Sequence, residues 1–392
     1  MNTLFRSGLC LMAALAFCFS NDVFALGEDG VSIEGGATVV GQRLSKQNAD
    51  IDKPVTGSAD LVLDVDFGAF TMHSYFEAST TPDIGPSSLV AGINADAGTA
   101  LTASGRGRIQ LSELSIETDV GALNANIGVM DLTVFADATS TSNDEGSQFL
   151  ADSLVNNPTI AFPDYTPALV FNYGNVDALQ WTLMAANAYG LGDNASANYR
   201  GLFNFGKNDA GLDKGLFVLA EVRAPGERHE MLTSLGGWYR SSELDRLDGL
   251  GTQRHSFGFY ANVDGVLNDT AWSARLGWND GRSDITDGVD IFASGSIEHP
   301  FGNSALGIGV AYQRVFNDFR NTAVAPDVFA NPLLVEAYYR WQINDWFAIT
   351  PDVQYWHNPN GLSASSPGNI AANVWVYSLR AQFGFSHQMA HQ

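Results

Sequence analysis

The stretch RHSFGFYANVD, residues 254–264, sorts its residues by parity. Arg254, Ser256, Gly258, Tyr260, Asn262 and Asp264 share one parity; Phe257, Phe259, Ala261 and Val263 share the other. A period of two is that of a strand with two unlike faces. The division recurs. Trp272, Ala274, Leu276 and Trp278 oppose Ser273, Arg275, Gly277 and Asn279; Val335, Ala337, Tyr339 and Trp341 oppose Glu336, Tyr338, Arg340 and Gln342. In the last such run, Trp375, Tyr377, Leu379, Ala381, Phe383 and Phe385 oppose Ser378, Arg380, Gln382 and Gly384. A soluble sandwich also has half-buried strands. Three features favour a membrane barrel. Trp, Tyr and Phe stud the apolar parity near strand ends, as aromatic girdles do. Arg and Glu sit in mid-strand on the polar parity, where a wet lumen can hold them. The last strand reaches an aromatic residue, Phe385, which resembles the signal read by the outer-membrane barrel assembly machinery. Here seven residues, 386–392, follow it.

The N-terminus is read as an export signal. Arg6 is its positive region, residues 9–19 its apolar region, and Val23-Phe24-Ala25 a cleavage site. Cleavage after Ala25 leaves a barrel domain over 26–392. The apolar region is too short for an anchor, and bulky Phe17 before Cys18 speaks against a lipoprotein. Cys10 and Cys18 both lie in this segment, so the mature chain has no disulfide to stabilise it. No later stretch approaches the ~20 continuous apolar residues of a membrane helix. The net charge of −23 excludes a nucleic-acid partner.

The periodicity predicts sixteen strands, at 31–43, 58–67, 69–80, 105–119, 122–132, 167–175, 178–190, 214–225, 230–241, 252–266, 269–280, 287–300, 303–316, 332–344, 346–359 and 373–385. Their connections alternate strictly between short and long, as periplasmic turns and external loops do. The count is even, which puts both termini on the periplasmic side. Residues 200–205 would make a seventeenth strand and break the alternation, so they are assigned to a loop. All four lysines fall in or beside predicted external loops. The fold expected is all-β, a 16-stranded antiparallel transmembrane barrel of an outer membrane.

Four segments resemble the carbohydrate-selective porins of the OprB family. They are LSELSIETDVGALNANIGVMDLT (111–133), NDEGSQFLADSLVNNPTIAFP (143–163), LGGWYR (235–240) and ITPDVQYWHNPNG (349–361). The second and fourth are the more specific. The resemblance implies a sixteen-stranded channel that admits sugars. In general porins the third external loop folds into the barrel, and here that loop is 133–166. Phe149, Leu150 and Leu154 are then expected to anchor it on the inner wall, with Asn156 and Asn157 turning it back.

A sugar channel needs no nucleophile, metal or cofactor. It needs donors and acceptors for hydroxyls at a wet constriction, and binding weak enough for release. The inferred lumen parity offers Arg106, Arg108, Arg223, Arg240, Arg254, Arg275, Arg340 and Arg380 as donors, with Glu113 and Glu117 among the acceptors. Arginines on consecutive strands would form a basic wall, a sugar ladder; the alternative is that such charges cross-brace the barrel. Arg106 and Arg108 differ in phase from Glu113 and Glu117. A bulge near Leu111-Ser112 would turn both sets inward; otherwise one set sits near the membrane edge. His73 is read as a wall residue, and the oxygen-rich SNDEGS at 142–147 as a solvated loop rather than a Ca²⁺ site.

The reading is thus a passive carbohydrate porin and not an enzyme, its partners being sugar solutes and outer-membrane lipid. The rivals are a non-specific or anion-leaning porin, and a plugged structural or adhesive barrel. A homotrimer stays open, because its contact would be one apolar outer face among many.

Overall fold

The computed structural model describes residues 30–45, 55–80, 90–96, 106–175, 178–191, 199–203, 205–207, 211–226, 231–246, 250–281, 284–286, 288–315, 330–359 and 373–389. The signal peptide expected at 1–25 lies outside them. The strands are β1 Val31–Leu44, β2 Val55–Asp66, β3 Thr71–Ser79, β4 Ile109–Val120, β5 Leu123–Met130, β6 Thr166–Gly174, β7 Gln180–Asn187 and β8 Leu216–Pro225. They continue as β9 Met231–Asp245, β10 Thr252–Leu267, β11 Thr270–Asn279, β12 Val289–Phe301, β13 Ser304–Val315, β14 Leu333–Asn344, β15 Phe347–His357 and β16 Asn373–Met389. Each pairs antiparallel with its neighbour in sequence, and β1 closes on β16. Closure removes the free edges that lipid would leave unpaired. At the seam the ladder runs from Leu44 opposite Val376 to Val31 opposite Met389. β16 therefore continues pairing beyond Phe385, where the sequence reading stopped it.

The two parities fall where the alternation puts them. Phe259, Leu276, Trp341, Tyr377 and Leu379 stand exposed on the outer face. Asn262, Arg275, Glu336, Gln354 and Arg380 are buried on the inner one. Aromatic rings gather near the strand ends: Phe259 stacks on Trp278, and Tyr355 lies against Trp375. The periplasmic turns are tight. Between β10 and β11, Asn268 and Asp269 both take left-handed backbone, at φ 49° and 66°. Two such residues in succession are what a two-residue hairpin with the right twist requires.

β4 starts at Ile109, four residues later than the alternation suggested. Arg106 thus precedes the strand, exposed. The register between β3 and β4 slips at Tyr75/Phe76, with Tyr75 opposite Glu113 and Phe76 opposite Leu111. Ser112 is the extra residue. The slip carries Gln110 and Ser112 to the inside along with Glu113 and Ser115, while Ile109, Leu114 and Ile116 face out. A second slip, between Arg254 and Ser256, lies near the outer end of β10, where His255 has φ 66°. Among the described residues two four-residue helices occur in loops: α1, Asp152–Val155, and α2, Tyr199–Leu202. The Asn187 side chain donates to the carbonyl of Leu202 at 2.7 Å and ties α2 to the end of β7.

Among the described residues the interior holds two apolar clusters rather than one core. One joins Phe149, Leu154 and Ala151 to Phe292, Leu334, Tyr338, Trp356 and Val376 on the barrel wall. The other joins Ile160 and Ala161 to Met184, Phe217, Trp238 and Tyr260. Both are built between the wall and the segment 131–165, the third external loop, hereafter L3.

Candidate constriction of the channel

L3 lies inside the barrel because its chemistry fits the wall there. Phe149, Leu150 and Leu154 are fully buried, and burying such side chains is worth ~1.5–3 kcal/mol each. Phe149 meets Tyr338 edge to face, with ring centroids 5.0 Å apart. Gly309 on β13 provides the seat: a Cβ there would stand 2.8 Å from Leu154 Cδ1 and 2.9 Å from Phe149 Cζ. Gly277 on β11 does the same for the return of the loop, where a Cβ would collide with Thr159 Oγ1 and come 2.7 Å from Asn157 Oδ1.

Apolar packing does not satisfy a loop's backbone, and a buried unpaired amide or carbonyl costs ~1–3 kcal/mol. Wall charges satisfy it instead. Arg275 donates to the carbonyls of Val155 at 3.0 Å and Leu154 at 3.4 Å, and also to Ser142 and Asn143. Arg380 donates to the carbonyls of Glu145 at 2.6 Å and Gln148 at 2.8 Å. Arg340 reaches Ser147 O at 3.4 Å, and Arg240 reaches Ala161 O at 3.3 Å. Carboxylates take the amides. Glu336 accepts Leu150 N at 2.6 Å and Ala151 N at 3.0 Å; Glu221 accepts Asp137 N at 2.9 Å. Arg suits this role because its planar fork offers several donors at fixed angles and stays charged.

The basic wall expected from the sequence is therefore differently used. Arg275 and Arg380 are fully buried beneath L3, with their donors on loop carbonyls, so they do not present a bare ladder to a solute. Arg223 pairs with Glu221 at 3.3 Å on the same side of the barrel. Arg254 stands at the outer rim, largely exposed, 3.5 Å from Asp213, and does not reach the constriction. Arg108 bonds Gln110, from which a chain runs through Ser112 to Glu77. Asn157 is buried, accepting from Thr159 and donating to Asp137 at 3.3 Å. Asn156 closes α1, its amide donating to Asp152 O at 2.7 Å. Within 142–147, Asp144 caps its own turn at Gly146 and Ser147.

Sequence reasoning missed the part played by the second external loop, L2. Its residues 90–96 also enter the barrel, with Val90 and Ile93 fully buried. Ala95 N donates to Leu150 O at 2.8 Å and Asp152 N to Gly92 O at 2.9 Å, so the two loops pair along their backbones. Gln42 and Gln354 both grip the carbonyl of Ile93, at 3.0 and 2.9 Å. No periodicity marks this segment, and its signal is only a brief apolar run between Pro86 and Asp96.

With L3 packed against β8–β16, a passage of about 1440 Å³ remains between the loops and β2–β6. It reaches from Thr71, Glu117 and Asn124 near the periplasmic turns to Gln313, Pro332 and Trp356 near the outer end. Glu113 and Glu117, both among the expected acceptors, line it. Eleven carboxylates border it in all, and among the described lining residues there is no Arg or Lys. Charge is thus segregated. The guanidinium groups of Arg240, Arg275, Arg340 and Arg380 lie behind L3, and these eleven carboxylates face the open side.

The barrel itself has known counterparts. The family model of the carbohydrate-selective porins, OprB family, matches residues 76–385. The chain belongs to the OprB family. Among solved structures, OprB of Pseudomonas putida, determined at high pH, superposes with TM-score 0.68 at 14% identity, covering 91% of this chain and 94% of that one. OmpT of Vibrio cholerae lacking its loop L8 superposes with TM-score 0.53 at 10% identity, covering 92% and 100%. At such identities these likenesses speak for the barrel fold alone. An uncharacterised protein of Aquifex aeolicus is 39% identical over 66 residues, 17% of this chain and 21% of its own length. This OprB-family protein is an outer-membrane barrel of a Gram-negative-type bacterium and a passive porin for carbohydrates.

Proposed function

We propose that sugars cross this OprB-family barrel along the acidic side of the lumen, through the gap that L2 and L3 leave beside β2–β6. The observation that carries the reading is the division of labour among the lumen charges. Arg240, Arg275, Arg340 and Arg380 hold the loop that sets the gap, while Glu113, Glu117 and their acidic neighbours border it. Hydroxyl donors of a sugar meet carboxylate acceptors there, in a channel wet enough for release. Arg106 and Arg108 stand at the outer approach on the β3–β4 side. The anion-leaning alternative disagrees with a lining that, among the described residues, has eleven carboxylates and no Arg or Lys.

Residues 1–25 direct export and are removed, and the β16 strand serves recognition by the barrel assembly machinery. A homotrimer is compatible with the wide apolar belt. The decisive experiment is reconstitution. In planar bilayers the protein should conduct, and in liposomes it should admit monosaccharides faster than disaccharides. A barrel that conducts nothing would refute the porin route; one that conducts ions but passes sugars no faster than size-matched polyols would refute the sugar route.

A further inference from the structure

Within the passage two tyrosines from different elements face the same space. Tyr75 is on β3 and Tyr165 ends L3; their ring centroids are 6.4 Å apart, tilted by 43°, and both line the passage. Each hydroxyl is already committed. Tyr75 donates to Asp60 at 2.7 Å and Tyr165 to Glu77 at 2.6 Å. The phenols therefore offer ring faces, and the carboxylates that accept from them border the same gap. Glu145 and Asp164 border the passage from L3. Among the described residues none of these four carboxylates makes an ion pair with Arg, Lys or His. No group of three or more potential metal ligands among the described residues converges well enough to hold an ion. The negative charge is spread along a path rather than gathered at a point, which suits a moving cation and not a chelated one. Ser153 of α1 adds a separate sign of a missing partner. It lines the same passage, is only 3% exposed, and its hydroxyl makes no hydrogen bond.

We infer that this ledge selects sugars that carry an ammonium group, amino sugars in their protonated form, over neutral sugars of the same size. The inference rests on the sugar-porin reading and names its substrate class. A neutral pyranose gains ring contact with the tyrosines and hydrogen bonds to the carboxylates. A pyranose with an ammonium gains those and the uncompensated field of the path, which low-dielectric walls of one charge sign focus into a narrow wet passage. Its cation also lies within reach of two phenol faces. A carboxylate-bearing sugar meets the same field with the opposite sign.

The test uses the full-length protein in liposomes at pH 7.5, with three probes that differ only at C6: 6-amino-6-deoxyglucose, glucose and glucuronate. Expected is entry of the amino sugar at least fivefold faster than glucose, with glucuronate slowest. In the Asp60→Asn/Glu145→Gln double variant the ratio of amino sugar to glucose should fall towards one, with barrel folding followed by heat-modifiable gel mobility. Equal rates for amino sugar and glucose in the unaltered protein overturn this inference and leave the sugar porin standing. Entry of salts with none of the three sugars overturns both. A double variant that folds yet keeps the full ratio removes the ledge as its cause.

Discussion

The carboxylate of Glu336 on β14 accepts the backbone amide of Leu150 at 2.6 Å. Its second oxygen takes Ala151, so one wall side chain satisfies two consecutive amides of a buried loop. Replacing it by Gln keeps one acceptor and turns an NH₂ donor towards an N–H donor. An unpaired buried group costs ~1–3 kcal/mol, a loss that falls on loop docking rather than on the barrel ladder. Single-channel records of Glu336→Gln should show added open-state noise, and Glu336→Leu more still. Quiet records from both would show that L3 is held without this contact.

Arg275 carries the larger share. It is fully buried and serves the carbonyls of Leu154, Val155 and Ser142 and the side chain of Asn143, with Asp137 4.0 Å away. Arg275→Met removes every one of these donors and leaves Asp137 without its cation. Losing one partner of a buried charged network costs ~3–5 kcal/mol. Conductance should rise as L3 leaves the wall, and protease should cleave within 142–158 in the folded barrel. Lys at this position offers a point charge instead of a fork and should recover only part of the effect.

Much of this fold was legible because a barrel repeats one simple rule. Phe259 and Tyr260 go to opposite sides for the same reason that Leu379 and Arg380 do, and the short and long connections set the strand count. The bulge at Ser112 was readable because Gln110 and Glu113 are polar in opposite phases. What parity could not show is what an inward side chain touches. Arg275 and Arg254 are both inward by pattern, yet one is sealed under L3 and the other stands in solvent at the rim. That difference depends on where L3 packs, a long-range contact with no local trace. The same holds for 90–96, whose partners Leu150 and Asp152 are far along the chain.

Gly309 tests the seat of L3 from the other side. A side chain there meets Leu154 and Phe149 at under 3 Å, and the loop must yield because β13 is fixed by ladders on both flanks. Gly309→Val should cost ~1–3 kcal/mol by overpacking. Folded barrels should still form, with altered conductance and reduced discrimination between mono- and disaccharides. Gly302→Val, in a periplasmic turn with open space around it but φ 63°, is the control: it strains the turn and leaves conductance unchanged.

Acidity of the passage depends on pH through L3. Burial pushes Glu145 up to about 7; its own backbone amide opposes this, and Asp144, Asp60 and Asp131 add to it. Asp164 is pushed to about 7 by burial and by Asp131 and Asp152, against Arg240. It is reachable by water yet enclosed deep in the barrel, which is why burial outweighs its contact with solvent. A raised carboxyl pKa means that the folded loop binds the proton more tightly than the free chain does. Docking of L3 therefore gains from these groups at acid pH and loses that gain as pH rises through about 7. The passage changes in the opposite sense, being most negative above that pH. Reversal potentials in a salt gradient should show cation preference falling between pH 8.5 and 5.5, with the fall centred near neutrality. In Glu145→Gln/Asp164→Asn the same pH range should produce a much flatter curve; an unchanged curve would assign the titration elsewhere.

Removal of the loop gives the sharpest outcome, because charge is segregated across it. Replacing residues 143–160 by a short Gly-Ser linker takes away the carbonyls of Glu145, Ser147, Gln148, Leu154 and Val155 that Arg275, Arg340 and Arg380 face from the wall, and leaves only those of Ser142 for Arg275 and Ala161 for Arg240. Those guanidinium groups then meet water and solute directly. The lumen would also lose Asp144, Glu145 and Asp152 from its acidic side. The barrel ladder does not use these residues, so the protein should still insert and show heat-modifiable mobility. Conductance should rise severalfold. More tellingly, ion selectivity should move from cations towards anions, since the sign of the exposed wall changes. A wider pore that keeps its cation preference would mean that the field comes from β2–β6 alone. An unchanged conductance would place L3 over the rim instead of inside, and with it the whole account of how the wall arginines are used.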